Sequence, residues 1–70
     1  MLSEEHIRRI EEQATLSAKA LSYDSLKKVA LTITLEHNDA PPGDERTELG
    51  IMDSVYTLEL GRRMLMGNDA

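Results

Sequence analysis

The feature that most constrains this chain is the segment 48–66, ELGIMDSVYTLELGRRMLM, which is its most apolar stretch. At about 100° per residue on a helical wheel, four small residues of this segment fall on one line: Gly50, Ser54, Thr57 and Gly61. Because a glycine inside a helix costs about 1 kcal/mol relative to alanine, this pattern favours the close approach of another helix. The alternative is that Gly50 is a poor first-turn residue and Gly61 a weak point or kink.

Apolar ridges flank this line on both sides: Ile51, Leu58 and Leu65 on one side, Leu49, Tyr56 and Leu60 on the other. The only clearly polar face of the predicted helix is formed by Glu59, Arg62 and Arg63. A helix that is apolar around most of its circumference is normally buried on more than one side. A chain of 70 residues has few other elements that could bury it.

The length of the chain also predicts self-association. A protein of this size buries only about 60% of its unfolded surface and usually needs a disulfide, a metal or a partner subunit. The sequence contains no cysteine, which excludes disulfides and thiolate metal sites. We therefore predict a homo-oligomer that associates through the central helix. The predicted interface consists of Leu49, Gly50, Ile51, Ser54, Thr57, Leu58, Gly61 and Leu65.

A first helix is predicted over residues 2–22. Ser3 is a suitable N-cap, and Glu4 and Glu5 favour the positive end of the helix dipole. A heptad-like stripe predicts which side is buried: Ile7, Ile10, Ala14, Ser17 or Ala18, and Leu21.

The segment 26–37 is ambiguous between helix and strand. As a helix, it places Leu26, Val29, Ala30, Ile33 and His37 on one face, with Leu31 and Leu35 nearly opposite. As a strand, Val29, Leu31, Ile33 and Leu35 alternate strictly with Ala30, Thr32, Thr34 and Glu36, and the Thr and Ile content suits a strand. No second strand is apparent in the sequence, so we predict a helix. The alternative is that residues 29–35 pair as a strand with the same segment of another chain.

The segment 38–45, NDAPPGDE, is predicted to be a loop because Pro41, Pro42 and Gly43 exclude a helix. We expect Asp44 or Thr47 to cap the third helix and Gly67-Asn68 to end it. The predicted fold is therefore all-α and a single domain of residues 1–70. It comprises a helical hairpin and a long apolar C-terminal helix.

Charge and composition exclude several kinds of partner. The net charge is −5, and residues 39–50 alone carry −3 from four acidic side chains and one arginine. An acidic chain without a basic stripe is not expected to bind DNA or RNA directly. Residues 3–13 are too charged for a signal peptide, and no apolar run approaches the ~20 residues of a membrane span. We expect a cytoplasmic protein that binds no membrane.

No recognised catalytic or metal motif is present, so we expect neither an enzyme nor a cofactor. The two histidines are His6, expected in solvent on the first helical turn, and His37, expected at the end of the second segment. Glu36, His37 and Asp39 could hold a divalent cation loosely, but their spacing matches no recognised site. We expect no metal.

Three classes of binding function remain, and the first is preferred. It is a regulatory protein, adaptor or inhibitor, that binds a protein partner. The second is a binder of a small anionic, nucleotide-like ligand at a subunit interface. The third is a nucleic-acid mimic, whose acidic surface would include Glu48 and Asp53 beside the loop. Residues proposed for contacts with an anionic ligand or a partner are Arg8, Arg9, Arg62, Arg63 and Tyr56.

Overall fold

The computed structural model describes residues 1–67, which form three helices and no strand. Helix α1 spans Glu4–Ala20, α2 spans Tyr23–Asp39 and α3 spans Asp44–Leu65. The all-α fold is confirmed. Residues 29–35 lie inside α2, so the alternative of an inter-chain strand is wrong. Helices make up 84% of the described residues.

Helix α1 follows its local signals closely. The Ser3 hydroxyl accepts a hydrogen bond from the His6 amide at 3.1 Å, as expected of an N-cap. The predicted stripe faces inward, with Ala14 and Ala18 buried and Ser17 exposed. This settles the open choice between Ser17 and Ala18. The helix ends two residues before the predicted Ser22.

Helix α2 begins earlier than the sequence indicates. The predicted segment starts at residue 26, whereas α2 starts at Tyr23, because the Ser22 hydroxyl caps the helix by accepting from the Ser25 amide at 3.3 Å. Leu26, Ala30 and Ile33 are buried, which confirms the predicted inner face. Leu31 and Leu35, on the opposite face, are exposed.

The start of α3 differs from its prediction. The helix begins at Asp44, and its N-cap is Gly43, which makes no side-chain capping bond. The prediction that Asp44 or Thr47 caps α3 is therefore wrong, and the Thr47 hydroxyl instead donates to the Gly43 carbonyl at 3.2 Å. Gly43 has a φ of 150°, a conformation that favours glycine. Gly67, with a φ of 67°, follows the helix as predicted, whereas Asn68 lies outside the described residues.

Helix α3 lies between the other two helices. Contacts between His6 and Glu48 and between Arg63 and the end of α1 show that α1 runs parallel to α3. Contacts of Thr34 with Asp53 and of His37 with Gly50 show that α2 runs antiparallel to α3. Helices α1 and α2 make little contact with each other. The predicted hairpin of the first two helices is therefore held together by packing on α3.

The core is small and consists largely of alanine. Leu26 is the only large side chain of the described residues that is completely buried. The buried apolar cluster contains Ala14, Ala18, Leu26, Ala30, Ile33 and Tyr56. Among the described residues, no helix is both long enough and apolar enough to span a membrane.

Candidate functional site

Most of the predicted interface residues lie on the side of α3 that faces away from the core. At about 100° per residue, this side is roughly opposite the buried Tyr56. We call it the outer face and define it by five residues, none of which is charged: Ser54, Thr57, Leu58, Gly61 and Leu65. Leu58 is 73% exposed and Leu65 is 91% exposed. The described part of the chain thus leaves two leucines of α3 in solvent.

The two glycines in the line of small residues have different surroundings. A Cβ atom added to Gly50 would lie 3.2 Å from His37 Nε2, so Gly50 packs closely against α2. A Cβ atom added to Gly61 would meet no atom within 4 Å. Leu49 and Ile51, like Gly50, are half-buried within the chain. Gly61 therefore belongs to the outer face, and Gly50 does not.

Two of the three residues of the expected polar face of α3 are turned toward the other helices and away from solvent. Glu59 and Arg63, only 8% and 7% exposed, are buried between the helices. The prediction that they form a solvated face is wrong, because this pair makes enough hydrogen bonds inside the chain to be buried.

Arg63 joins the end of α3 to the end of α1. Its Nε donates to Glu59 at 2.9 Å, and its Nη1 donates to the Leu21 carbonyl at 2.7 Å. Its Nη2 donates to the carbonyls of Ala18 and Lys19 at 3.1 and 3.2 Å. Carbonyls in the last turn of a helix lack the amide donor that a following turn would supply. The Arg63 guanidinium therefore acts as a C-terminal cap of α1 and is engaged within the chain.

Two arginines surround the Glu59 carboxylate. Arg62 Nη2 donates to Glu59 Oε2 at 2.7 Å, and Arg63 Nε donates to the same oxygen at 2.9 Å. Hydrogen bonds from Arg62 and then from Arg63 lower the pKa of Glu59 from 4.5 to about 2, and burial opposes this shift. The carboxylate is therefore charged at neutral pH and stabilises the folded chain in that form.

We expect this carboxylate to make stability depend on pH. A pKa lowered on folding adds stability that is complete above pH 4.5 and disappears as the pH falls toward 2. We expect a loss of about 2 kcal/mol, less than the full shift implies, since Arg62 is partly in water. Urea unfolding followed by circular dichroism between pH 6 and pH 2 (roughly the range of carboxylate titration) should show it. In Glu59→Gln this part of the pH dependence should be absent; equal slopes for both proteins would contradict the assignment.

The side chains proposed for an anionic ligand are not gathered into one site. Arg8 and Arg9 lie on the first half of α1, and Arg9 pairs with Glu5 at 3.2 Å. Arg63 is engaged with the end of α1, and Arg62 donates to Glu59 and also to the Met66 sulfur at 3.1 Å. Tyr56 is buried in the core.

The two carboxylates named for nucleic-acid mimicry have partners within the chain. Glu48 Oε2 lies 2.7 Å from Nε2 of His6, so this histidine is half-exposed and not fully solvated as expected. Asp53 accepts hydrogen bonds from the hydroxyls of Thr34 and Thr57. The contacts with His6 and Thr34 join α3 to α1 and α2, and the contact with Thr57 joins two successive turns of α3.

The described residues include no group of three His, Cys, Asp or Glu side chains that could hold a metal ion. The structure therefore does not bring Glu36, His37 and Asp39 together as ligands. His37 faces Gly50 of α3 instead.

Besides a cavity of about 420 Å³ along α1, beside Glu11, Glu12 and Leu16, two surface cavities involve α3. One, of about 200 Å³, lies between α1 and α3, with Ala18, Val55 and Leu58 among its walls. The other, of about 400 Å³, lies where α2 ends and α3 begins. We call it the loop groove and define it by its lining: Thr32, Leu35, Glu36, Asp39, Ala40, Pro41, Glu45 and Leu49. Sequence reasoning identified the acidic charge of this region but not the groove, because the groove forms only when α2 and α3 pack.

The comparisons with known proteins add no relative. The chain matches no protein-family model, no curated protein and no solved structure.

Proposed function

We propose that this chain is a cytoplasmic, non-enzymatic regulatory protein that acts by binding protein and that self-associates through the outer face of α3. The observation that carries the proposal is the exposure of Leu58 and Leu65 on a helix face without any charged residue. Burying two leucines between subunits would contribute roughly 1.5–3 kcal/mol for each side chain.

A second copy of the chain suits this face better than a partner recognised by charge. The chain carries a net charge of −5, so two copies repel each other over most of their surfaces. The residues of the outer face carry no charge, so two outer faces in contact do not add to this repulsion. In a two-fold interface the same patch is present on both subunits. The leucines of one copy can then lie against Ser54 and Gly61 of the other, where the small side chains leave room.

The test is the mass of the protein in solution. We expect sedimentation equilibrium at micromolar concentration to give a species heavier than the 7.8 kDa chain. Leu58→Gln combined with Leu65→Gln should yield a folded monomer. Leu31→Gln combined with Leu35→Gln removes two exposed leucines from α2 and should leave the mass unchanged. A well-folded wild-type monomer, or equal effects of both variants, would reject the outer face as the interface.

Gly61→Ala tests the same face with a single methyl group. Within one chain this methyl group meets nothing, so helix propensity alone would stabilise the fold by up to about 1 kcal/mol. At a tight crossing between two copies, overpacking should cost about 1–3 kcal/mol instead. We expect the melting temperature to fall, and to fall most at protein concentrations where the wild type is associated. A higher melting temperature with unchanged mass would show that Gly61 is not at an interface.

A further inference from the structure

The loop groove combines an apolar floor with an acidic rim. Its floor includes Leu35, Leu49 and Pro41, and Leu35 is 55% exposed. The groove forms because Pro41 cannot continue α2. The three residues 41–43 then lead to the start of α3 at Asp44. Its volume of about 400 Å³ lies within the range of ~300–1,000 Å³ that is usual for ligand pockets. A large apolar side chain would fill part of it.

Three carboxylates of the rim have no cationic partner. Glu36, Asp39 and Glu45 make no ion pair with any residue from 1 to 67. Glu4, Glu11, Glu12 and Asp53 make none either, but Glu11 and Glu12 share their cavity with Arg8. One positive charge lies beside the rim, because Arg46 Nη1 donates to the carbonyl of Ala40, a lining residue, at 3.1 Å. Lys28, one turn before Thr32 on α2, is outside the lining. With three carboxylates and one neighbouring arginine, the rim carries an excess of negative charge.

We infer that the loop groove binds a segment of a partner protein in which an apolar side chain is flanked by lysine or arginine. The apolar side chain would lie on Leu35 and Leu49, and the cations would pair with Glu36, Asp39 and Glu45. An acidic segment would be repelled by this rim, and an uncharged one would leave its carboxylates unpaired. The inference rests on the proposal that the chain acts by binding protein and names the class of partner.

Leu31 extends the apolar floor along α2. It is 61% exposed and precedes Leu35 by one helical turn. A partner segment can therefore follow α2 for more than one side chain. The competing occupant is a second copy of this chain, which could present Lys27, Lys28 and Leu31.

The experiment measures the binding of short fluorescein-labelled peptides by anisotropy. Each peptide has leucine, phenylalanine or tryptophan at its centre and lysine or arginine on both sides; a matched set has glutamate in place of the cations. We expect the wild type to bind members of the cationic set, more weakly as salt is raised, and none of the acidic set. Glu36→Gln combined with Asp39→Asn should weaken binding on the order of tenfold.

Two matched controls distinguish binding at the loop groove from an effect of net charge and from nonspecific hydrophobic binding. Glu4→Gln combined with Glu5→Gln removes the same charge from α1 and should bind as the wild type does. Leu35→Gln should weaken binding, whereas Met64→Gln, at an exposed apolar side chain of α3, should not. Circular dichroism confirms that each variant is folded.

Several outcomes would overturn the inference. One is a wild type that binds no cationic peptide, and another is an equal loss of binding in the control variants. A third is loss of self-association in Glu36→Gln/Asp39→Asn, which would make a second copy the occupant of the groove. Self-association is measured separately, by sedimentation. If the wild type is monomeric but binds the cationic peptides, the outer-face interface is rejected and the inference about the loop groove stands.

Discussion

We expect Arg63→Gln to lower the free energy of unfolding by about 3 kcal/mol. The substitution removes the donors to the carbonyls of Ala18, Lys19 and Leu21, and it leaves the buried Glu59 with Arg62 alone. Removing one partner of a buried ion pair typically costs about 3–5 kcal/mol, and the remaining contact with Arg62 reduces that cost. The measurement is urea unfolding at neutral pH, repeated at several protein concentrations so that self-association is accounted for.

Arg62→Gln is the matched control. Arg62 also pairs with Glu59, but its side chain is 53% exposed and makes no hydrogen bond to α1, so the loss should be much smaller. Arg63→Lys should fall between the two, because a lysine keeps the charge but cannot donate to several acceptors in the fixed planar arrangement of arginine. If Arg62→Gln and Arg63→Gln destabilise the protein equally, Arg63 does not cap α1.

Local signals were sufficient to predict the helices. The capping role of Ser3 and the heptad-like stripe of α1 depend on neighbours within a few residues, and both are confirmed. In α2, the correct face was predicted from spacing, but the helix starts at Tyr23 because Ser22 acts as the cap. The start of α3 was mispredicted because Gly43, without a capping side chain, gave no sequence signal.

The orientation of α3 could not be read from its own residues. Hydrophobic periodicity assigns charged side chains to solvent, yet Glu59 and Arg63 are buried. The groups that satisfy Arg63 lie more than 40 residues away along the chain, at the end of α1. One signal did exist: α1 ends at Ala20 and is followed by Leu21 and Ser22 instead of the glycine that is common after a helix. The terminal carbonyls were therefore open to a basic side chain from elsewhere in the chain.

The two candidate surfaces were predictable to different degrees. All five residues of the outer face were among the eight predicted for the interface, but wheel positions did not separate them from Leu49, Gly50 and Ile51, which are half-buried within the chain. The loop groove depends on how the end of α2 meets the start of α3, and its lining comes from both helices and the intervening loop. The sequence could show only that acidic residues are concentrated near Pro41 and Pro42.

We expect Leu26→Ala to destabilise the fold by about 3 kcal/mol. Leu26 is completely buried, and the alanines around it cannot move far enough to fill a cavity. A domain of this size has a stability of roughly 5 kcal/mol, so the variant should unfold at a much lower temperature. Leu31→Ala on the same helix removes the same atoms from an exposed position, and its effect should stay within about 0.5 kcal/mol. Circular dichroism melts of the two variants, run at matched concentration, make the comparison. Equal losses would mean that α2 does not face α3 as described, because only the packing of α2 on α3 and α1 distinguishes these two leucines.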